Sequence, residues 1–339
     1  MSKKHVTSAE VAKRAGVSQS AVSRTFTPGA SASKKTAEKV RKAAAELGYR
    51  PNVLARAMVS GKSRIIGLVV AYLENQFYPD AIAKLSNELQ KRGYHLLIFM
   101  AEQTSGNTES VVEEILDYQV DGIIAASVAM SSELSERCRA ANVPMVLFNR
   151  SQDDPHMSAV TSDNYAGGRK VAEFLLAAGH RKIGHIAGWS GASTQRDREA
   201  GFISALAEAG VPLHSRAEGD FSMEKAADAT RSMFASDRPE AVFVANDHMA
   251  LAVMDTLRFE LGLNVPEDVS VVGFDDVPAA GWPTYDLTTV RQPANRMVAN
   301  TVEILLDQIE NESSETRRIA IDGRLIVRGS AKIPKGWAQ

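Results

Sequence analysis

The chain has 339 residues, 44% of them hydrophobic, which is too long for one compact domain and sufficient for at least one sizeable core. Its one cysteine, Cys138, excludes an internal disulfide and a cysteine-based zinc cluster, and fits a reducing cytoplasm. The formal net charge of −2 conceals a split: residues 1–62 carry 13 Lys and Arg against 3 Asp and Glu (+10), and the remainder carries 26 against 38 (−12), the pattern of a polyanion-binding segment on an acidic body.

The chain opens on MSKKHVTSAEVAKR, which has no apolar signal-peptide core, and no later stretch has the uninterrupted apolar length of a membrane span. Secretion and membrane insertion are therefore not expected. Thr7 and Glu10 have the spacing of a capping box, so a helix starts there and runs to Gly16, a residue that tolerates the left-handed conformation closing helices. Ser18 caps a second helix from Gln19 to about Phe26. Two short helices joined by a three-residue turn containing Gly make a helix-turn-helix unit. After Thr27, Pro28 and Gly29, Ser33 caps a third helix with Ala37, Val40, Ala44 and Leu47 on one face, ended by Gly48. Asn52 then heads a short apolar segment, residues 53–59, far below the length at which an isolated helix is stable. It is expected to order only against a partner.

From Arg64 the pattern changes to apolar runs alternating with amphipathic stretches. Strands are predicted at residues 65–70, 95–100, 122–126, 144–148, 182–187, 241–245 and 270–273. Helices are predicted at 81–92, 109–118, 167–178, 198–209 and 249–259. This alternation implies parallel sheets covered by helices on both faces, in two similar lobes with a boundary between Asn149 and Asn164. In such sheets ligands sit beyond the carboxyl ends of the strands. Polar residues at those places are Tyr72 and Asn75, Asn149 and Arg150, Asn246 and Asp247, and Asp275 and Asp276.

Enzyme signatures are missing. Gly61-Lys62-Ser63 looks like part of a phosphate loop, but Arg56 stands where that motif needs its first glycine, and no dinucleotide fingerprint follows Val70. His180 and His185 lack the spacing of a zinc protease pair, and Gly188-Trp189-Ser190-Gly191 lacks that of a nucleophile elbow. No cofactor or metal is expected.

The segment Val6-Thr7-Ser8-Ala9-Glu10-Val11-Ala12-Lys13-Arg14-Ala15-Gly16-Val17-Ser18, with Ala21-Val22-Ser23-Arg24 and Leu47-Gly48-Tyr49-Arg50-Pro51-Asn52, closely resembles the lactose-repressor/galactose-repressor family. The likeness continues through Asn75-Gln76-Phe77-Tyr78, Asp121-Gly122-Ile123-Ile124, Gly179-His180-Arg181-Lys182-Ile183, Asn246-Asp247 and Val272-Gly273-Phe274-Asp275-Asp276 to Leu287-Thr288-Thr289-Val290, nearly the whole chain. The resemblance implies a three-helix helix-turn-helix head with a hinge helix (residues 1–60, the hinge about 52–60). Behind it comes a bilobal core like that of periplasmic sugar-binding proteins (61–339). The first lobe takes about 64–161 and 292–320, and the second about 162–290 and 321–339. The implied function is a transcription regulator that binds a pseudo-palindromic double-stranded DNA operator as a homodimer, under control of a small molecule in the cleft.

By the same resemblance, Gln19, Ser20 and Arg24 match base-reading positions, with a purely phosphate contact as the competing role for Arg24. Thr7, Ser18, Ser23, Ser33, Thr36, Tyr49 and Asn52 match contacts to the DNA backbone. Thr27 stands where some members carry Asn. Ala55 and Met58 match hinge residues in the minor groove, where Met58 either wedges between base pairs, as leucine does elsewhere in the family, or packs between paired hinges. Arg198 matches the effector-binding arginine, and Asn246 and Asp275 match its polar partners; Asn149 stands where some sugar-responsive members have Asp, and Tyr72, Phe77, Trp189, Trp282 and Gln292 are weaker pocket-wall candidates, with a core role competing for each aromatic. This donor and acceptor set suits a sugar or sugar acid. The last residues, 335–339, form no heptad tail, which favours a dimer over a tail-linked tetramer.

Overall fold

The computed structural model describes residues 6–26, 31–50, 62–101, 105–128, 132–154 and 156–337. Residues 1–64 and 65–339 form two separate compact units.

The first unit holds three helices: α1 (Ser8–Ala15), α2 (Gln19–Phe26) and α3 (Lys34–Leu47). The capping box is present: the Glu10 amide donates to Thr7 Oγ1 at 3.3 Å, and the Thr7 amide donates to Glu10 Oε2 at 2.7 Å. Gly16 closes α1 at φ +67°. Ser18 Oγ accepts from the Ala21 amide at 3.3 Å, and Ser33 Oγ accepts from the Thr36 amide at 3.2 Å, so each helix start has a satisfied backbone donor. Val11, Val22 and Val40, one from each helix, are fully buried together with Ala12, Ala43 and Ala44. A core this small works because the helices are short and each presents one narrow apolar face. Residues 51–61, which include Asn52 and the hinge positions Ala55 and Met58, lie outside the described residues, as does Thr27.

The second unit contains two six-stranded sheets with related strand orders. The first sheet runs β11 (Arg318–Ile321), β5 (Ser158–Ser162), β4 (Met145–Phe148), β3 (Gly122–Ala126), β1 (Ile65–Val70), β2 (His95–Met100). The second runs β12 (Arg324–Ile326), β10 (Thr288–Arg291), β9 (Ser270–Asp275), β8 (Ala241–Val244), β6 (Ile183–Ala187), β7 (Ser215–Glu218). All neighbours are parallel except β10 and β12. Strands β3, β4, β6, β8 and β9 are buried along their whole length, as expected for strands covered on both faces.

Helices α4 (Phe77–Lys91), α5 (Ser105–Asp117), α6 (Ser132–Ala140) and α11 (Ala294–Glu310) belong to the first lobe. Helices α7 (Asn164–Ala177), α8 (Ser193–Glu208), α9 (Met223–Met233) and α10 (Asp247–Asp255) belong to the second. The chain passes between the lobes three times: from β5 into α7, from β10 into α11, and from β11 to β12. Helices α7 and α8 approach almost to backbone contact: a Cβ on Gly168 would lie 2.0 Å from the Arg198 carbonyl oxygen, and one on Gly201 would lie 2.0 Å from that of Tyr165. Among the described residues no helix is long and apolar enough to cross a membrane.

The seven predicted strands are present within one or two residues of their expected ends. Sequence reading missed β5, β7, β10, β11 and β12, which are three to five residues long. Three of them, β7, β11 and β12, are partly exposed edge strands: β7 is polar, and the apolar runs of β11 and β12 are only two or three residues long within the strand.

Candidate functional site

In the first unit the side chains of Gln19, Ser20, Ser23 and Arg24 are exposed along one stripe of α2, on the face opposite the buried Val22. Gln19 Nε2 donates to Ser8 Oγ at 2.8 Å, the Ser18 and Ser20 hydroxyls are 2.9 Å apart, and Arg24 Nε is 3.4 Å from the Ser20 carbonyl oxygen. These are weak, solvent-facing contacts that a ligand can replace at low cost. Thr7, Ser18 and Ser33 are exposed at helix starts, where unpaired backbone N–H groups and the helix dipole favour an anion. Thr36 is half-buried beside Ser33, their hydroxyls 2.8 Å apart. Tyr49 packs its ring 5.9 Å from that of Phe26, so part of its surface belongs to the small core.

In the second unit a polar cluster spans the cleft between the lobes. Arg198, on α8 and 2% exposed, donates from Nε to Asn164 Oδ1 at 2.9 Å and from Nη1 to the Ala245 carbonyl at 2.6 Å. Its Nη2 lies 3.4 Å from Asp275 Oδ1, and its guanidinium carbon sits 3.7 Å above the Phe274 ring. Asp275 also accepts from Gln292 Nε2 at 2.7 Å and, on its other oxygen, from Asn75 Nδ2 at 3.0 Å. Asn75 belongs to the first lobe, so this bond joins the lobes directly. Ser193 Oγ, accepting from the Ser151 amide at 3.0 Å, and Gln76 Oε1, accepting from the Ala279 amide at 3.2 Å, are two further links.

Burial pushes the Asp275 carboxyl up, against the opposing pull of Arg198 and the hydrogen bonds from Asn75 and Gln292. Burial lowers the Arg198 pKa, and Asp275 counteracts it. Beside them, burial and the nearby Asp275 charge push Asp247 up to about 7, although Thr289 Oγ1 (2.6 Å) and the Val277 amide (3.0 Å) both donate to it. Asp275 has φ +128° and Asn149 φ +71°, positive-φ backbone at non-glycine residues, the first at the end of β9 and the second immediately after β4, where functional sites commonly hold strain.

The expected effector residues divide into two groups. Arg198, Asp275 and Gln292 come together as one hydrogen-bonded cluster. Asn246 lies beside it, but its Oδ1 accepts from the Met249 amide at 2.9 Å and so caps α10. Asn149 donates from Nδ2 to the Tyr78 hydroxyl at 3.1 Å, and its Oδ1 is buried with no partner. Tyr72 stacks edge-on to Tyr78, and burial raises its pKa, with the Asp275 charge adding to the effect and Arg150 opposing it. Phe77 is buried against Phe148 as a wall of the first-lobe core. Trp189 lines a cavity of about 290 Å³ at the cleft, whereas Trp282 is 53% exposed. Sequence reading did not single out Asn164 as a site residue, and it noted Asn75 and Arg150 as polar residues at strand ends, Asn75 also within a family motif, without assigning either a role. The signal for Asn164 and Asn75 lies in pairings across 34 and 200 positions, which no local pattern displays. Among the described residues, no group of three His, Cys, Asp or Glu could hold a metal ion.

Comparison with known proteins gives a consistent assignment. Residues 7–52 match the family "Bacterial regulatory proteins, lacI family", and residues 172–331 match "Periplasmic binding protein-like domain". The chain is 32% identical over 334 residues to the HTH-type transcriptional repressor PurR of Vibrio vulnificus (95% of this chain, 98% of the relative). It is 30% identical over 327 residues to the repressor of the same name from Photobacterium profundum, with the same coverage. Among solved structures, the lac repressor dimer bound to operator and the anti-inducer ONPF superposes with a TM-score of 0.87 at 29% identity, covering 96% of this chain and 99% of that one. A complex of the transcriptional regulator CelR with cellobiose gives 0.74 at 32% identity, covering 96% and 100%. With a lacI-type head, a periplasmic-binding-protein-like core and full-length relatives on both counts, the chain belongs to the lacI family of bacterial regulatory proteins.

Proposed function

We propose that this protein is a cytoplasmic repressor of transcription that binds a pseudo-palindromic operator as a homodimer, and that a sugar or sugar acid in the interlobe cleft sets its grip. The observation that carries this reading is the exposed stripe of Gln19, Ser20, Ser23 and Arg24, on a helix held by a satisfied core in a segment of net charge +10. In the major groove Arg24 gives paired donors to guanine O6 and N7 and Gln19 pairs with adenine, each worth about 1 to 3 kcal/mol of discrimination. Thr7, Ser18, Ser23, Ser33, Thr36 and Tyr49 hold phosphates and set the register. Asn52, at the head of the hinge, joins the phosphate contacts, and Ala55 and Met58 of the hinge enter the minor groove.

For the effector, Asp275 accepts from hydroxyls and Arg198 forks onto vicinal oxygens, with Asn246, Asn149, Gln292, Tyr72 and Phe77 around them. A sugar is supported by the cellobiose held by CelR, a relative in fold and sequence. Because Asp275 already takes three internal donors, a ligand must exchange with them, and one of these is the Asn75 bond that ties the lobes. Binding thereby biases the relation of the lobes, and it controls DNA affinity only through different ligand affinity in the two states. Pairing of two chains is supported by exposed apolar side chains on the second unit: Ile98 and Met100 on the edge strand β2, and Phe259 at 76% exposure.

The test is duplex selection from a random library, followed by affinity measurement against salt with and without a panel of sugars, sugar acids and nucleobases. Binding should weaken linearly in log–log form with added salt, and one ligand should shift it about fivefold or more. No preference for any duplex over genomic competitor under every ligand would overturn the reading, and a single chain per operator by sedimentation would remove the homodimer.

A further inference from the structure

One buried cation in the core has no anion to answer it. Arg150 follows β4 and is 6% exposed, yet its Nε and Nη1 make no hydrogen bond. Among the described residues no carboxylate forms an ion pair with it. Its guanidinium lies 5.6 Å from the Trp189 ring centre and 6.0 Å from that of Phe221, contacts that offset only part of the cost of removing a charge from water. The side chain forms one wall of the 290 Å³ cavity beside Trp189.

The rest of that cavity shows what completes it. The second lobe contributes another cation, Arg196, from the first turn of α8, whose Nη1 donates to the Gly191 carbonyl at 3.2 Å. Helix α8 also opens there, and its N-cap, Ala192, offers no side-chain acceptor, so the positive end of a 16-residue helix faces the same space. Asp153 and Asp154 line the cavity too, the first exposed and the second half-buried, and neither forms an ion pair with Arg150. Arg150, Arg196 and the helix end therefore suit a negatively charged group, and the two carboxylates suit hydroxyl donors. Tyr72, whose ring packs edge-on against Tyr78 at 5.4 Å, is close enough to both Arg150 and Asp275 to feel the charge of each.

We propose that the effector is a polyhydroxylated acid whose anionic group, carboxylate or phosphate, seats on Arg150 between the lobes, with hydroxyls toward Asp153 and Asp154 and toward Asp275. This rests on the cleft being the effector site, and it narrows the sugar or sugar acid of that reading to the charged class.

Thermal unfolding and calorimetry of the full chain at constant ionic strength test it, using gluconate against glucose, galacturonate against galactose, glucose 6-phosphate against glucose, and inorganic phosphate alone. At least one acid should bind tenfold or more tightly than its neutral partner. The pair that responds distinguishes carboxylate from phosphate. Arg150→Gln should raise the ligand-free Tm and erase the preference for the acid, and Arg150→Lys, which keeps the charge, should retain part of it. The proposal is overturned by neutral sugars binding as tightly as acids, by an acid preference that survives Arg150→Gln, or by no anion of the panel raising Tm. A chain that binds an operator yet ignores every anion sinks this inference alone, whereas one that binds no duplex sinks the regulatory reading.

Discussion

Asn75 Nδ2 donates to Asp275 Oδ2 at 3.0 Å, joining residues 200 positions apart and on opposite lobes. Asn75 Oδ1 at the same time accepts from the Phe77 amide at 3.0 Å and fixes the start of α4, so the amide is held at both ends. Asn75→Ala should lower the stability of the core by about 1.5 to 3 kcal/mol, the range for a hydrogen bond to a charged group. The same variant should loosen the cleft, read as faster limited proteolysis between the lobes. Unchanged denaturation midpoint and proteolysis rate would show that the bond carries neither property.

Asp247 gives a pH dependence of definite sign. Its folded-state pKa, about 7, lies above the ordinary carboxylate value, so between those two values the folded chain binds the proton more tightly than the unfolded one. Its contribution is therefore complete in acid and fades as pH rises through about 7. His185 acts in the opposite sense, since burial lowers it to about 4 and its contribution grows with pH above that value. Comparing wild type with Asp247→Asn cancels the histidine. The stability of wild type relative to the variant should fall between pH 4 and 7, by at most about 1.4 kcal/mol per pH unit. A pH-independent difference between the two chains would contradict the assignment.

Gly168 and Gly201 allow α7 and α8 to meet, and the atom facing Gly168 is the carbonyl oxygen of Arg198 itself. Because the obstacles are backbone, no side-chain rotation relieves an added methyl. Gly201→Ala should cost about 1 to 3 kcal/mol of core stability and displace Arg198, weakening effector binding while leaving operator binding without effector intact. Equal effector affinity in wild type and variant would show that the helix contact does not position the arginine.

In the head, Arg24→Ala should relax discrimination at one operator base pair by about 1 to 3 kcal/mol, whereas Ser33→Ala should weaken all duplexes alike. Selection from a randomised operator library separates the two outcomes. An unchanged preference in the Arg24 variant would return that side chain to a phosphate role.

Thr7, Glu10 and Gly16 made the head legible in the sequence because capping is a contract between near neighbours. The core strands were equally readable, since burial on both faces writes them as unbroken apolar runs. The cleft was legible by position but not by pairing. Asn246 shows two local signals in competition: its place after β8 marks it as a ligand candidate, while an Asn three residues before Met249 is an N-cap, and its oxygen caps α10. Phe77 likewise reads as a pocket wall until Phe148, 71 positions away, is seen stacked upon it. Arg150 needed the three-dimensional count of its neighbours, because an orphaned donor is defined by what is absent around it.

Strands β11 and β12 are adjacent in the chain but close the edges of different sheets. The first lobe cannot acquire its last strand until synthesis has passed residue 321, nor the second until it has passed residue 326, long after the three-helix head is able to form. A message cut short would therefore release a DNA reader with no working sensor. The order of the strands makes completion of the C-terminus a condition for any response to the effector.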